Sequence, residues 1–148
     1  MIIAMGSDKK TKTTDAAIDY LKSKGHRVKL FGALLKPDKN WVKIAKEVAL
    51  SIRNKEADEG IIFCWTGTGV AMVASKIPGI RAATVSNEKT ARDARAWDHA
   101  NILALRCFLP EKRALKIVNT WMKTPFSSDP EDLAAQKQIE QLEEEFFK

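Results

Sequence analysis

Two cysteines, Cys64 and Cys107, are all that 148 residues carry. That is too few for a disulfide scaffold, and both are expected as free thiols. No apolar run approaches the roughly 20 residues that a membrane span requires. The opening "MIIAMGSDKK" has no basic flank ahead of a longer apolar core, so neither a span nor a signal peptide is expected, and the cytoplasm is the expected compartment. There is no internal repeat and no low-complexity linker. No basic run with interleaved aromatics, no zinc-ligand spacing and no recognition-helix pattern occurs, which argues against a nucleic-acid partner despite a net charge of +6.

What remains is a chain with 45% hydrophobic and 30% charged residues, the composition of one globular domain spanning residues 1–148 and able to bury a core. Its charge is unevenly placed. Residues 129–148 hold seven acids against two lysines, leaving 23 basic and 12 acidic residues before them. Scattered Lys and Arg on such a body suit a small anionic substrate as well as a solvated surface.

Short runs rich in Ile and Val read as strands: "IIAMG" at 2–6, "RVKLFG" at 27–32, "GIIFC" at 60–64, "IRAATV" at 80–85 and "NILAL" at 101–105. Amphipathic segments lie between them. The spacing predicts a helix over 15–24 with Ala16, Ala17, Tyr20 and Leu21 on one face, stopped by Gly25. It predicts a second over 41–53 with Trp41, Ile44, Ala45, Val48 and Ile52 facing inward. Segments 89–97 and 111–122 continue the alternation, and 130–147 reads as a tail helix. Alternating strands and helices imply a parallel sheet covered on both faces.

In such a sheet, ligands bind beyond the carboxyl ends of the strands. Three polar turns qualify: Gly6-Ser7-Asp8-Lys9, Cys64-Trp65-Thr66-Gly67-Thr68-Gly69 and Ser86-Asn87-Glu88. Gly67 and Gly69 permit close backbone approach, so consecutive amides can converge on one anion. The stretch matches neither G-x-x-x-x-G-K-[ST] nor G-x-G-x-x-G, and a tight strand-to-helix turn explains the same glycines. Cys64 likewise has two readings, a packed thiol closing a strand or a thiolate base beside an anion site. Cys107 reads as core, and His26 as surface at the turn into the second strand.

"MIIAMGSDKK", "KSKGHRVKLFG", "KEADEGIIFCWTGTGVAMVASKIPGIRAATVSNEKTARDARAWDHANILAL" and "ALKIVNTWMKTPF" together resemble, in order, the family of ribose-5-phosphate isomerase B and galactose-6-phosphate isomerase. The resemblance runs from residue 1 to about Phe126. It implies a Rossmann-like three-layer α/β/α sandwich with a five-stranded parallel sheet and a C-terminal tail helix over 127–148. It also implies a homodimer, possibly a tetramer, with active sites shared between subunits. The implied reaction interconverts aldose and ketose phosphates through a cis-enediolate, with no cofactor and no metal. By this resemblance Cys64 is the base and Thr66 positions the substrate. The amides of Gly67, Thr68, Gly69 and Val70 form the oxyanion hole, Asp8 binds sugar hydroxyls, and Asn101 falls on the asparagine of the strand-opening "AN" pair, where a strand-start role serves equally.

Three departures from the family bear on the substrate. Lys9 stands in place of a phosphate-binding histidine. Trp97, in "RAWDHAN", replaces the ring-opening histidine of a run like "REHNDAN", with His99 two residues on as the replacement candidate or as a helix-end cap. The family's arginine-bearing end, like "GGRHERR", is here "SSDPEDLAAQKQIEQLEEEFFK", without arginine, so Arg106, Arg113 and Lys137 become phosphate candidates. The tail's Leu133, Ile139, Leu142 and Phe146 form an apolar stripe suited to a partner subunit. These departures also suit a sugar-phosphate-binding sensor, and they favour short or open-chain substrates.

Overall fold

The computed structural model describes residues 1–147; Lys148, the last residue of the expected tail segment, lies outside them. Strands and helices alternate as β1 (Ile2–Ser7), α1 (Lys12–Ser23), β2 (Arg27–Gly32), α2 (Trp41–Arg53), β3 (Glu59–Cys64), α3 (Thr68–Ala74), β4 (Ala82–Thr84), α4 (Glu88–Asp98), β5 (Ile102–Arg106) and α5 (Glu111–Lys123), followed by α6 (Pro130–Phe146). All neighbouring strands are parallel, in the order β2-β1-β3-β5-β4. The chain therefore leaves β1 first to one side and then to the other, placing the switch point between β1 and β3.

Side-chain alternation along the strands divides the core in two. Ile3, Met5, Ile61, Phe63, Leu103 and Leu105 face α1, α4 and α5, while Ala4, Ile62, Cys64, Ile102 and Ala104 face α2 and α3. Fully burying a side chain such as Ile61 or Leu103 contributes roughly 1.5–3 kcal/mol, so both faces of the central strands are strongly specified. The second face is built from small residues because α2 lies close. A Cβ on Gly6 would stand 2.7 Å from Cγ2 of Ile44, and one on Gly60 would stand 2.9 Å from Val48.

The helix over 41–53 has the expected bounds, with Asn40 capping it by accepting from the Lys43 amide. The first helix starts three residues earlier than the apolar spacing indicates, because Thr11 and Thr14 form a reciprocal capping box. At the amino end of the sheet, buried Arg95 donates to Glu59 Oε1 at 2.6 Å, and the Trp121 indole donates to Oε2 at 3.2 Å. This contact ties α4 and α5 to β3. Burial raises the Glu59 carboxyl above its usual range against the pull of Arg95.

Candidate active site

The loops after β1, β3 and β5 meet at the carboxyl edge of the sheet, where Ser7 is in register with Phe63 and Cys64 with Arg106. Cys64 ends β3 with its side chain toward α2 and α3, 7% exposed. Its Sγ accepts a hydrogen bond from the Gly67 amide at 3.1 Å. The turn that makes this possible requires glycine. Gly67 has φ +76°, and a Cβ there would meet the Leu105 backbone at 3.1 Å.

Around the sulfur the turn is held on several sides. The Thr84 hydroxyl donates to Gly67 O at 2.7 Å, the Thr66 and Thr68 hydroxyls are 2.7 Å apart, and the Thr68 amide donates to Thr66 Oγ1 at 3.3 Å. Two of the four amides expected to face a substrate oxygen are thus already engaged within the turn. Gly69 and Val70 remain as first-turn amides of α3, whose orphan N–H groups are available to an oxyanion. Trp41 is not on the buried face that its helical spacing indicates. It is 41% exposed, and its ring lies against the turn, 3.0 Å from where a Gly69 Cβ would be.

Asp8 approaches from β1. Its Oδ1 is buried without a hydrogen-bond partner, and burial raises its carboxyl above the usual range, opposed by its own backbone amide and by Lys9. An unsatisfied carboxylate oxygen at the end of β1, the strand next to β3, suits a sugar hydroxyl. Neighbouring Lys9 has its amide held by Ser7 Oγ, and its Nζ rests 5.4 Å from the Trp65 ring centroid and 5.3 Å from that of Phe108. The exposed Arg106 shares the edge.

Cys107 belongs to the other face. It is fully buried, its amide donates to Cys64 O at 2.9 Å, and burial followed by the charge of Asp8 raises its thiol. It packs, as the sequence indicates.

Other expected site residues are elsewhere within the single chain. Asn101 precedes β5 at the opposite, amino edge of the sheet, since Ile102 pairs with Gly60 while Cys64 pairs with Arg106. Its side chain accepts from the Arg81 amide at 2.8 Å and donates to Gly79 O at 2.9 Å, the strand-start role. His99 caps α4 at that same edge with φ +50°, its Nε2 2.9 Å from Ser127 O and its ring stacked on Phe126. This placement keeps His99 away from its own chain's Cys64, because the α4 C-terminus lies at the far end of the strands, and a role for it at the turn requires the shared-site dimer. Trp97 is beside it and half exposed. Lys137 is also remote, on α6, whereas Arg113 donates to Ser86 O at the α4 entrance.

Sequence reasoning missed Thr84 and Trp41 as supports of the glycine turn. Only tertiary packing brings either to it. Among the described residues, no three His, Cys, Asp or Glu side chains gather as metal ligands, and no helix is long and apolar enough to cross a membrane.

The Ribose/Galactose Isomerase family profile matches residues 3–142. Ribose-5-P isomerase B of Listeria innocua is 33% identical over 129 residues, covering 86% of this chain and 87% of that one. D-erythrulose-4-phosphate isomerase of Pectobacterium atrosepticum is 32% identical over 133 residues, 84% of each chain. The structure of ribose-5-phosphate isomerase B from Mycoplasma genitalium with bound ribulose-5-phosphate superposes with a TM-score of 0.87 at 32% identity, covering 97% of this chain and 96% of that one.

Proposed function

The chain belongs to the ribose/galactose isomerase family, and from that premise we propose that it interconverts an aldose phosphate and its ketose, with Cys64 moving the proton between C1 and C2. The observation that carries this reading is the convergence, at the β1/β3 switch point, of a nearly buried thiol, two free helix-entry amides and an unpartnered carboxylate oxygen.

In the forward direction a Cys64 thiolate takes the C2 proton of the open-chain aldose as the C1 carbonyl oxygen becomes an enediolate oxygen. The Gly67 N–H supplies a donor to the sulfur anion, and the Gly69 and Val70 amides supply donors to the oxygen. Asp8 orients the sugar hydroxyls. Return of the proton from sulfur to C1, with transfer of the hydroxyl proton from O2 to O1, completes the ketose with no net change in protons.

Within this class we favour a short, open-chain substrate such as a tetrose 4-phosphate. Two features support it. Trp97 stands at the position of the family's ring-opening histidine, and of the chain's two histidines His99 is engaged by Ser127 and Phe126 while His26 lies within 3.3 Å of the Met1 amine, so neither stands at its own chain's Cys64 turn. A family member of similar length acts, by its name, on D-erythrulose 4-phosphate. The proposed assembly is a homodimer, supported by exposed Leu133, Leu142 and Phe146 on α6. A screen of four-, five- and six-carbon aldose phosphates for conversion to ketose tests the reading. Conversion abolished in Cys64→Ala is expected, and no conversion of any of them would reject it.

A further inference from the structure

The chain has no arginine after Arg113, so a phosphate at the Cys64 edge must be met by other cations. Beside that edge lies a cleft of about 390 Å³ between the loops after β1 and β2, lined by Asp8, Lys9, Lys10, Lys36, Asp38 and Lys39. The cleft is adjacent to the glycine turn, because β1 is the neighbour of both β2 and β3, and Lys9 lies over Trp65, the residue after Cys64.

Its charges are unequally used. Lys10 is paired with Asp15 at 2.6 Å, and Asp38 is held by Lys43 at 3.4 Å and by the Asn40 amide at 2.9 Å. Among the described residues Lys9, Lys36 and Lys39 have no acidic partner within salt-bridge distance. Three lysines without an acidic partner therefore line one cleft together with Asp8, the Lys9 ammonium lying over the Trp65 and Phe108 rings beside it. The loop that presents Lys36 and Lys39 is fixed: Ala33 N–H donates to Ser7 O at 2.8 Å, Leu35 N–H to Gly32 O at 3.0 Å, and Leu34 is buried. Gly32 makes this bend at φ +65°, with its missing Cβ replaced by the Ile44 side chain. The backbone is thus ordered without a ligand, while the lysine heads remain in water.

We propose that this lysine cleft is the phosphate subsite of the substrate, with Lys36 and Lys39 of the β2–α2 loop gripping the phosphate together with Lys9, while Asp8 holds the hydroxyls between phosphate and the Cys64 turn. This rests on the isomerase reading above. It assigns to a loop after β2 the recognition of the anionic end, and it explains how a chain with an acidic, arginine-free tail retains a phosphate site. Lysine is a flexible point charge, so three ammonium groups on two loops tolerate phosphates at somewhat different distances from the turn.

The test is the pair Lys36→Ala/Lys39→Ala, both exposed and free of side-chain hydrogen bonds. With the best sugar phosphate from the screen, KM is expected to rise about ten-fold or more, on the scale of lost charge-assisted contacts. Competitive inhibition by inorganic phosphate should weaken in parallel, and Lys36→Arg/Lys39→Arg should restore both. Lys112→Ala/Lys116→Ala, which removes the same charge from α5, is expected to alter neither constant. Unchanged KM and phosphate inhibition in the Lys36/Lys39 pair would overturn the subsite, as would equal losses in the α5 control. If the native protein converts no sugar phosphate, the isomerase reading has failed, and calorimetric titration of inorganic phosphate into the same variants still decides whether the cleft binds it.

Discussion

The Gly67 amide donates to Cys64 Sγ across 3.1 Å, so the residue that bends the chain out of β3 is also the residue that addresses the sulfur. Turn geometry and candidate chemistry are one arrangement. Cys64→Ala leaves the turn's glycine conformation and its Thr84 contact in place, and folding is expected to persist. Turnover of a good substrate should fall by about two to four orders of magnitude, the contribution of a positioned base. Near-normal turnover in that variant would return Cys64 to a packing role. Cys107→Ala should lower stability with little effect on kcat.

Gly67→Ala addresses the same turn through the backbone. A residue other than glycine at φ +76° costs about 1–2 kcal/mol, and the added methyl faces Leu105 backbone atoms that cannot yield. Both urea stability and kcat are therefore expected to fall. A variant with native stability and native kcat would show that the left-handed conformation is dispensable.

Asp8 is expected to trade stability for function. Burial raises its carboxyl above the usual 3.8 in the folded state, so the native fold binds that proton more readily than the unfolded chain does. The group's contribution to stability is therefore most favourable below pH 3.8 and declines as pH rises through the raised value. Asp8→Asn should accordingly melt at a higher temperature than the native protein at pH 7, with the difference vanishing near pH 3, while kcat/KM falls. A lower melting temperature at pH 7 would place Asp8 among the stabilising residues instead.

Much of this arrangement is legible in the sequence, and the parts that are not have physical causes. Parallel strands buried on both faces announce themselves as short apolar runs, and α2 has visible limits because Asn40 and Arg53 bracket one amphipathic period. Helical periodicity gives the direction in which Trp41 points. It does not reveal that the first turn of α2 overhangs the sheet edge, so the ring covers Gly69 rather than entering the core. The "AN" pair likewise marks Asn101 as special. Which edge of the sheet it occupies follows only from the register of β3 against β5.

The tail gives a prediction about assembly. Helix α6 lies on its own chain through Gln136, which donates to Trp97 O, and through Glu143, which accepts from the Gly79 amide. Leu142 and Phe146 are 55% and 69% exposed, however, and form an uncovered apolar stripe. Sedimentation at micromolar concentration is expected to give a dimer for the native protein and a shift to monomer for Leu142→Glu/Phe146→Glu. A native monomer would remove the shared-site assembly.

Trp97, at the position of the family's ring-opening histidine, bears on substrate length. Ribose 5-phosphate rests largely as a furanose, and its ring must open before the C2 proton is acidic, a step that requires proton transfer to the ring oxygen. A tetrose 4-phosphate cannot close a furanose, because its O4 carries the phosphate, and it meets the thiol as an open chain. The protein is therefore expected to convert erythrose or erythrulose 4-phosphate with a higher kcat/KM than ribose 5-phosphate. A kinetic signature accompanies this. If only the free aldehyde is used, the ribose 5-phosphate velocity should level off as enzyme is increased, at the rate of spontaneous ring opening, while the tetrose velocity stays proportional to enzyme. Trp97→His, at the position of the family's ring-opening histidine and able to serve a Cys64 turn only across the proposed dimer, should raise the pentose rate selectively. Ribose 5-phosphate velocity that remains proportional to enzyme and matches the tetrose rate would mean that the native site opens rings itself, with His99 across the proposed dimer or a bound water as the proton carrier.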